Sequence, residues 1–364
     1  MDDGTLELGP TTPAPMALAD TDVSLHWPKT ARALRQAAEE SGMAGLDGVI
    51  LIDSVALQDL VWTIGDVEVE GLPVALSDQT TTSALEIDAF LGNAPIRAAE
   101  LHADLVSQIL GAFLERRPGV ESFALATAAD TRGGHQSVYL PGGKRRLVRA
   151  LGLNGRAMLS DPGILPVIAS WSTLGNSHVG ALVSTTVQQT ITVRRNGSAS
   201  VDAEVLFENG AGTDPPSVLL GRPIGGLPVG TFAADVTLYL PKNAEDIAAE
   251  TSRPSPIRVG QDLGLATVTG SVAVRGGDST TLTVTYLAPD AVRTVDGARE
   301  VAIRVMPQPT LAGVRFEIRI VLPNGSTIKS ASPGLQRQGD TAVFSGVQDA
   351  AMDLELRFAV GQAS

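Results

Sequence analysis

The sequence contains no cysteine, and this absence excludes several classes of site at once. Without a thiol the chain has no disulfide, no thiolate nucleophile and no Cys-ligated zinc or iron–sulfur cluster. Only four histidines are present, so a metal site built from several histidines is not expected. Aromatic residues make up 4 %, which leaves few rings on which bases or sugars could stack. The sequence therefore indicates architecture more clearly than chemistry.

Basic residues are also scarce relative to acids. The chain has 27 Lys and Arg against 40 Asp and Glu, a net charge of -13, so we predict no nucleic-acid partner. Long apolar runs are missing too, because the most apolar stretch, 48–65, is interrupted by Asp53 and Asp59. Residues 1–8 lack the basic and apolar regions of a signal peptide and are typical of a hairpin tip. We therefore expect the sequence to begin part-way through a domain.

The length of 364 residues predicts two or three domains, and the hydrophobic periodicity divides the chain near residue 180. Before this point, predicted helices over 30–41, 55–63, 96–116 and 144–151 alternate with short strands, of which 48–52 is apolar throughout, as in a buried central strand. Beyond residue 180 the period changes to two, with strands such as 183–193 and 201–207 joined by an Asn-Gly turn.

These patterns predict an α+β fold, in which an α/β head at residues 1–180 precedes antiparallel β-sandwich modules. The first sandwich is predicted at 181–294. The alternating strands of 295–364 predict either a second β-rich module or a continuation of the same sandwich.

Positive charge is gathered in one segment of an otherwise acidic chain. Residues 1–130 carry a net charge of -15 and residues 161–364 a net charge of -4, whereas 131–160 contain no acid and six basic residues. Because guanidinium forks and a Gly-Gly turn that opens a helix both suit phosphate, this segment is a candidate anion site. The alternative is a solvated helix face whose cations pair with the surrounding acids. The candidate anion-binding residues in the segment are Arg132, Lys144, Arg145, Arg146 and Arg149.

Asp53 directly follows the apolar strand 48–52, at the end of a strand where α/β sheets place ligands. The carboxylate is therefore a weak candidate metal ligand. A helix N-cap explains the same residue equally well.

Several phrases resemble an uncharacterised family of large, membrane-anchored bacterial surface proteins that carry a domain of unknown function. The matching phrases are Trp-Pro-Lys-Thr-Ala at 27–31, Leu-Asp-Gly-Val-Ile-Leu-Ile-Asp at 46–53, Gly-Asp-Val-Glu-Val at 65–69 and Val-Thr-Leu-Tyr-Leu-Pro-Lys at 236–242. The sequence departs from the family at Ser54, where proline is usual, and at Ser170-Trp171. The resemblance implies an extracytoplasmic location, an association with the cell envelope and a membrane anchor upstream of this chain.

The first half of that family more distantly resembles the LytR-CpsA-Psr phosphotransferases, which move glycopolymers from a polyprenyl pyrophosphate onto peptidoglycan. In this comparison Arg97 matches an arginine that contacts the pyrophosphate. The other catalytic arginine and aspartate positions would precede the first residue of this chain, so the resemblance does not transfer them.

The sequence therefore leaves two function hypotheses open. The leading one is a binding or structural module of the cell envelope that associates with cell-wall glycopolymer and needs no cofactor. The alternative is a phosphotransferase or pyrophosphatase acting on polyprenyl-linked glycans, in which Arg97 and the basic segment grip phosphate and Asp53 helps to hold Mg²⁺. No catalytic triad or nucleotide loop is evident, so the sequence favours binding over catalysis.

Overall fold

The computed structural model describes residues 26–40, 42–43, 45–69, 75–85, 95–155, 163–174, 178–211, 227–308, 310, 313–348 and 350–361. The chain forms two compact units. The first comprises 1–157 with 216–220, and the second comprises 158–215 with 221–364. The division therefore falls near residue 157 rather than at 180. The physical reason is that the strand at 164–173 pairs with strands of the second unit.

The first unit is mostly helical in its described part. Its helices are α1 (Trp27–Glu40), α2 (Ser54–Ile64), the single turn α3 (Thr81–Ser83), α4 (Pro95–Arg116), α5 (Val120–Gly133) and α6 (Arg145–Ala150), the last preceded by a 3-10 turn at Gly142–Lys144. These bounds confirm the helices predicted over 30–41, 55–63, 96–116 and 144–151. The apolar face of α2 packs with that of α4 in the core through Leu57, Leu60, Leu105 and Ile109.

Two strands accompany these helices, β1 (Val49–Ile52) and β2 (Gln136–Tyr139). They pair antiparallel, with Val49 opposite Tyr139 and Ile52 opposite Gln136. The prediction of a buried central strand at 48–52 is wrong, because Ile50 is 62 % exposed and β2 is the only strand paired with β1 among the described residues.

The second unit contains the remaining strands, in two sheets. They are β3 (Ile164–Thr173), β4 (Val183–Val193), β5 (Ala199–Asn209), β6 (Phe232–Leu240), β7 (Glu245–Thr251), β8 (Ile257–Asp262), β9 (Leu265–Val274), β10 (Ser279–Ala288), β11 (Arg293–Val295), β12 (Ala298–Met306), β13 (Val314–Val321), β14 (Ser326–Ala331), β15 (Gln336–Gln338), β16 (Thr341–Gln348) and β17 (Met352–Val360). One sheet has the order β15-β16-β13-β4-β5-β10-β7, and the other has β14-β17-β12-β3-β6-β9-β8 with β11 beside β12.

Side chains from the two sheets meet in a common core. The ring of Phe207 on β5 lies 5.3 Å from that of Trp171 on β3 and 5.6 Å from that of Phe232 on β6. The edge-to-face contact with Trp171 and the complete burial of Phe207 are typical of a sandwich interior.

The strands beyond residue 295 continue both sheets. β12 pairs with β3 and β13 pairs with β4, and both pairs are parallel. The sheets are therefore mixed rather than purely antiparallel. Of the two predicted interpretations of 295–364, this topology matches a continuation of the sandwich.

Candidate anion-binding site

A pocket of about 280 Å³ lies in the first unit, bordered by α1, β2 and α6. Arg32 on α1 and both Arg145 and Arg149 on α6 line it. None of the lining residues is acidic. We call this feature the arginine pocket.

Packing between α1 and the small sheet forms one wall of the arginine pocket. Trp27 and Ala31 are buried against Tyr139, and the backbone N–H of Trp27 donates to the carbonyl of Gly155 over 3.2 Å. Gly155 has φ +53, and a side chain there would clash with Ser137 and with Trp27. Glycine is therefore required where the chain leaves α6 and passes α1.

Tyr139 holds Arg145 at the rim of the arginine pocket. The guanidinium carbon lies 5.6 Å from the centre of the ring, and Nη2 donates to the phenolic oxygen over 3.2 Å. This combination of cation–π contact and hydrogen bond limits the rotamers of a side chain that is otherwise exposed.

The guanidinium groups of Arg32 and Arg149 retain N–H groups that can donate hydrogen bonds to a ligand. Arg32 uses its Nε to donate to the carbonyl of Pro28 over 2.9 Å, which leaves both Nη groups. Arg149 is one helical turn from Arg145 and is exposed. Within the described part of the chain, neither of these arginines forms a salt bridge with an acid, in contrast to Arg35, which pairs with Glu39 at 2.9 Å. Positive charge at the arginine pocket is thus not neutralised by the described acids around it.

The structure divides the predicted anion-binding residues into two groups. Arg145 and Arg149 come together at the arginine pocket. Lys144 and Arg146 are exposed next to them in sequence and do not line it, and the ammonium of Lys144 lies 3.9 Å from a carboxylate oxygen of Asp47.

The remaining two predicted residues lie on other helices. Arg132 is exposed near the end of α5, where its Nε donates to the carbonyl of Ala128 over 3.0 Å. Arg97 is in the first turn of α4, and its side chain lies outside the described residues.

Sequence reasoning missed Arg32, His26 and Tyr139 as lining residues of the pocket. Arg32 and His26 lie about a hundred residues before the basic segment, so counting charge by segment could not connect them to it. The only available signal was the phrase around Trp27, which the resemblance singled out without assigning a role.

A second polar cluster lies at the other end of the β1–β2 pair. Nδ1 of the buried His135 is 2.7 Å from Oδ2 of Asp53, while Oδ1 of Asp53 accepts from the backbone N–H groups of Val55 and Ala56, each at 3.0 Å. Asp53 is thus the N-cap of α2, as one of its two sequence interpretations predicted.

Asp130 on α5 belongs to the same cluster and is 3 % exposed. Burial raises the pKa of Asp130 to about 8, and the hydrogen bond and negative charge of Asp59 add to this effect. The carboxyl group is therefore largely protonated at neutral pH and serves as a hydrogen-bond donor.

Both carboxylate oxygens of Asp53, the candidate metal ligand, are engaged by protein donors. Across the described ranges, no group of three His, Asp or Glu side chains is arranged to hold a metal ion. No described helix is long and apolar enough to cross a membrane.

Comparison with known proteins gives one family match. The model of a family described as a protein of unknown function, DUF4012, matches residues 6–90. This segment contains Arg32 and His26 of the arginine pocket, whereas Arg145 and Arg149 lie beyond it. No curated protein matches the sequence significantly.

Solved structures show only distant likeness. A putative nutrient-binding protein from Legionella pneumophila has 8 % identity and a TM-score of 0.32, with 54 % of this chain and 72 % of that chain covered. Leukotriene A4 hydrolase from Saccharomyces cerevisiae has 10 % identity and a TM-score of 0.31, with 50 % and 30 % covered. A mutant M1 zinc metallopeptidase from Deinococcus radiodurans has 12 % identity and a TM-score of 0.28, with 48 % and 42 % covered. The chain thus spans less than half the length of the two enzymes.

Proposed function

We propose that this protein is a binding module of the bacterial cell envelope, and that its arginine pocket holds an anionic group of a cell-wall glycopolymer. The observation that carries the proposal is the convergence of Arg32, Arg145 and Arg149 on one pocket with no acid among its lining residues. The envelope setting comes from the sequence resemblance, and it is tested separately by locating the protein in fractionated cells.

Electrostatics support an anion as the ligand. Guanidinium forks form paired, charge-assisted hydrogen bonds with phosphate, which are about twice as strong as neutral ones. Because residues 1–130 carry a net charge of -15, a polyanion would be repelled from most of the first unit. The arginine pocket therefore favours capture of one anionic group over diffuse binding along a surface.

Calorimetry with two polymers tests this proposal. We expect poly(glycerol phosphate) to bind weakly, through one phosphate group at a time, and dextran, which has no phosphate, not to bind. Arg149→Gln should weaken binding about tenfold, which corresponds to roughly 1.4 kcal/mol for one lost charged contact. Arg146→Gln is the matched control, because Arg146 is exposed on the same helix but does not line the pocket. Equal losses in the two variants would contradict the proposal.

The phosphotransferase alternative is second in our ranking because Asp53, its candidate Mg²⁺ ligand, already accepts hydrogen bonds on both oxygens. A carboxylate that caps a helix would have to give up this role in order to bind a metal ion. Mg²⁺-dependent release of phosphate from a polyprenyl pyrophosphate, abolished by Arg97→Ala, would reverse this ranking.

A further inference from the structure

We infer that the arginine pocket recognises a terminal phosphomonoester carried on a single sugar-sized group, rather than a phosphodiester within a chain. This inference rests on the proposed anion-binding function and narrows it to one class of ligand. It depends on the number of guanidinium groups, on the size of the pocket and on the apolar part of its wall.

The guanidinium groups reach the pocket from two helices. Arg145 and Arg149 are one turn apart on α6, and Arg32 comes from α1. A phosphomonoester has three unesterified oxygens and a charge between -1.5 and -2 at neutral pH, because its second pKa is about 6. A phosphodiester has two such oxygens and one charge. Three cationic forks are therefore better matched by the monoester.

Pocket size limits the rest of the ligand. A volume of about 280 Å³ is just below the usual lower range for small-molecule pockets, about 300 Å³. Such a space holds one phosphate group with one attached ring, and any further units of a polymer would lie outside it. A monomer, or the end of a chain, can place both groups in the pocket without leaving it on two sides.

The wall of the pocket combines apolar and polar groups. Val138, Leu140 and Val148 contribute aliphatic surface, and Asn154 contributes an amide that can both donate and accept hydrogen bonds. Aliphatic side chains can cover the C–H face of a sugar ring while the amide contacts a hydroxyl group. Inorganic phosphate alone would not contact these aliphatic and amide groups.

Tyr139 is a positioning residue in this arrangement. Its ring and hydroxyl hold the guanidinium of Arg145 at the rim, at 5.6 Å and 3.2 Å respectively. Tyr139→Phe keeps the ring and removes the hydrogen bond. We therefore expect this variant to weaken monoester binding about threefold, with a smaller effect on the diester.

The test compares a glucose phosphomonoester with its methyl diester by calorimetry on the full chain. We expect the monoester to bind at least about tenfold more tightly at pH 7.5 and to lose much of this advantage at pH 5, where it carries one charge. His26 also lines the pocket, and the diester, whose charge does not change between these pH values, corrects for any change in the protein.

Variants separate the inference from the proposal on which it rests. Arg149→Gln should reduce the preference for the monoester, whereas Arg146→Gln should leave it unchanged. Diester binding as tight as that of the monoester, still weakened by Arg149→Gln, would overturn the inference and leave anion binding in place. Binding of neither compound, together with no binding of poly(glycerol phosphate), would overturn both.

Discussion

Nδ1 of His135 lies 2.7 Å from Oδ2 of Asp53, and this contact joins the start of β2 to the N-terminus of α2. The backbone N–H of Asp53 also donates to the carbonyl of His135 over 3.2 Å. Two residues that are 82 positions apart in the sequence are therefore held together by both backbone and side chains. The pair fixes the two-stranded sheet whose other end carries Tyr139 of the arginine pocket.

Asp53→Ala should destabilise the first unit by about 2 kcal/mol, because it removes both the helix cap and the partner of a buried histidine. Asp53→Asn can still cap α2 and should cost about half as much. Urea denaturation followed by circular dichroism, which reports on the helices, measures both variants. Equal losses for alanine and asparagine would mean that the cap contributes nothing.

Stability should depend on pH through Asp130. The pKa of Asp130 is raised to about 8 in the folded protein by burial and by Asp59, whereas an unfolded aspartate titrates near 4. Unfolding therefore releases a proton between pH 4 and pH 8, and the stability contributed by this group falls as the pH rises through that window. It stays constant at higher pH.

Asp130→Asn removes this titration and keeps a hydrogen-bond donor toward Asp59. We expect the variant to be more stable than the natural protein by up to about 5 kcal/mol at pH 8, with the difference disappearing near pH 4. Asp104→Asn on the exposed face of α4 is the control and should show no such crossover. Denaturation curves at three pH values test this prediction, and a constant difference would contradict it.

Glu300 should show the opposite pH dependence. Its side chain is fully buried, and burial opposes ionisation, but hydrogen bonds from Arg357 at 2.7 Å and Arg293 at 2.7 Å outweigh this and lower the pKa of Glu300. A lowered pKa contributes stability above the unfolded value near 4.5, and this contribution is lost as the pH falls through the folded value.

Glu300→Gln should therefore destabilise the second unit by about 2 kcal/mol at pH 7 and by less at pH 3. The loss is limited because both arginines are about one-third exposed and solvent screens their charges. Glu355→Gln is the matched control: this half-exposed carboxylate lies 3.6 Å from Arg293 and should contribute less than about 0.5 kcal/mol. Thermal denaturation at the two pH values compares the variants.

Deletion of residues 296–364 should prevent the second unit from folding correctly. It would remove β12 and β13 and leave the backbone groups along one edge of β3 and β4 without their partners. We expect an aggregated product in size-exclusion chromatography, whereas deletion of 1–157, at the boundary between the compact units, should leave a soluble β protein. A soluble, folded 1–295 fragment would instead support a separate C-terminal module.

Hydrophobic periodicity predicted the helices and most of the long strands, because the apolar pattern of each of these elements repeats over many residues. α4 and β4, for example, match their predicted ranges closely. β3 was missed because Leu165, Val167, Ile168 and Ala169 are nearly all buried, so the strand has no alternation of polar and apolar residues to reveal it. Short edge strands such as β15, which is exposed throughout, also lacked a pattern.

The candidate sites were predictable only where their residues are close in sequence. Arg145 and Arg149 lie in one charged segment, so their common location was foreseen, but Arg32 comes from a distant helix. The pairing of Asp53 with His135 and of Asp59 with Asp130 likewise depends on the packing of α2, α5 and β2. Local sequence patterns carry no information on such long-range contacts.

The parallel pairing of β3 with β12 also affects how the chain can be made. Ile164 lies opposite Ala302, so the ribosome must synthesise most of the second unit before β3 meets this neighbour. Contacts between residues so distant in sequence slow folding, because a long loop must close before they form. During translation one edge of β3 and one edge of β4 therefore remain unpaired until β12 and β13 have been made. We expect chaperone dependence and slow refolding from denaturant.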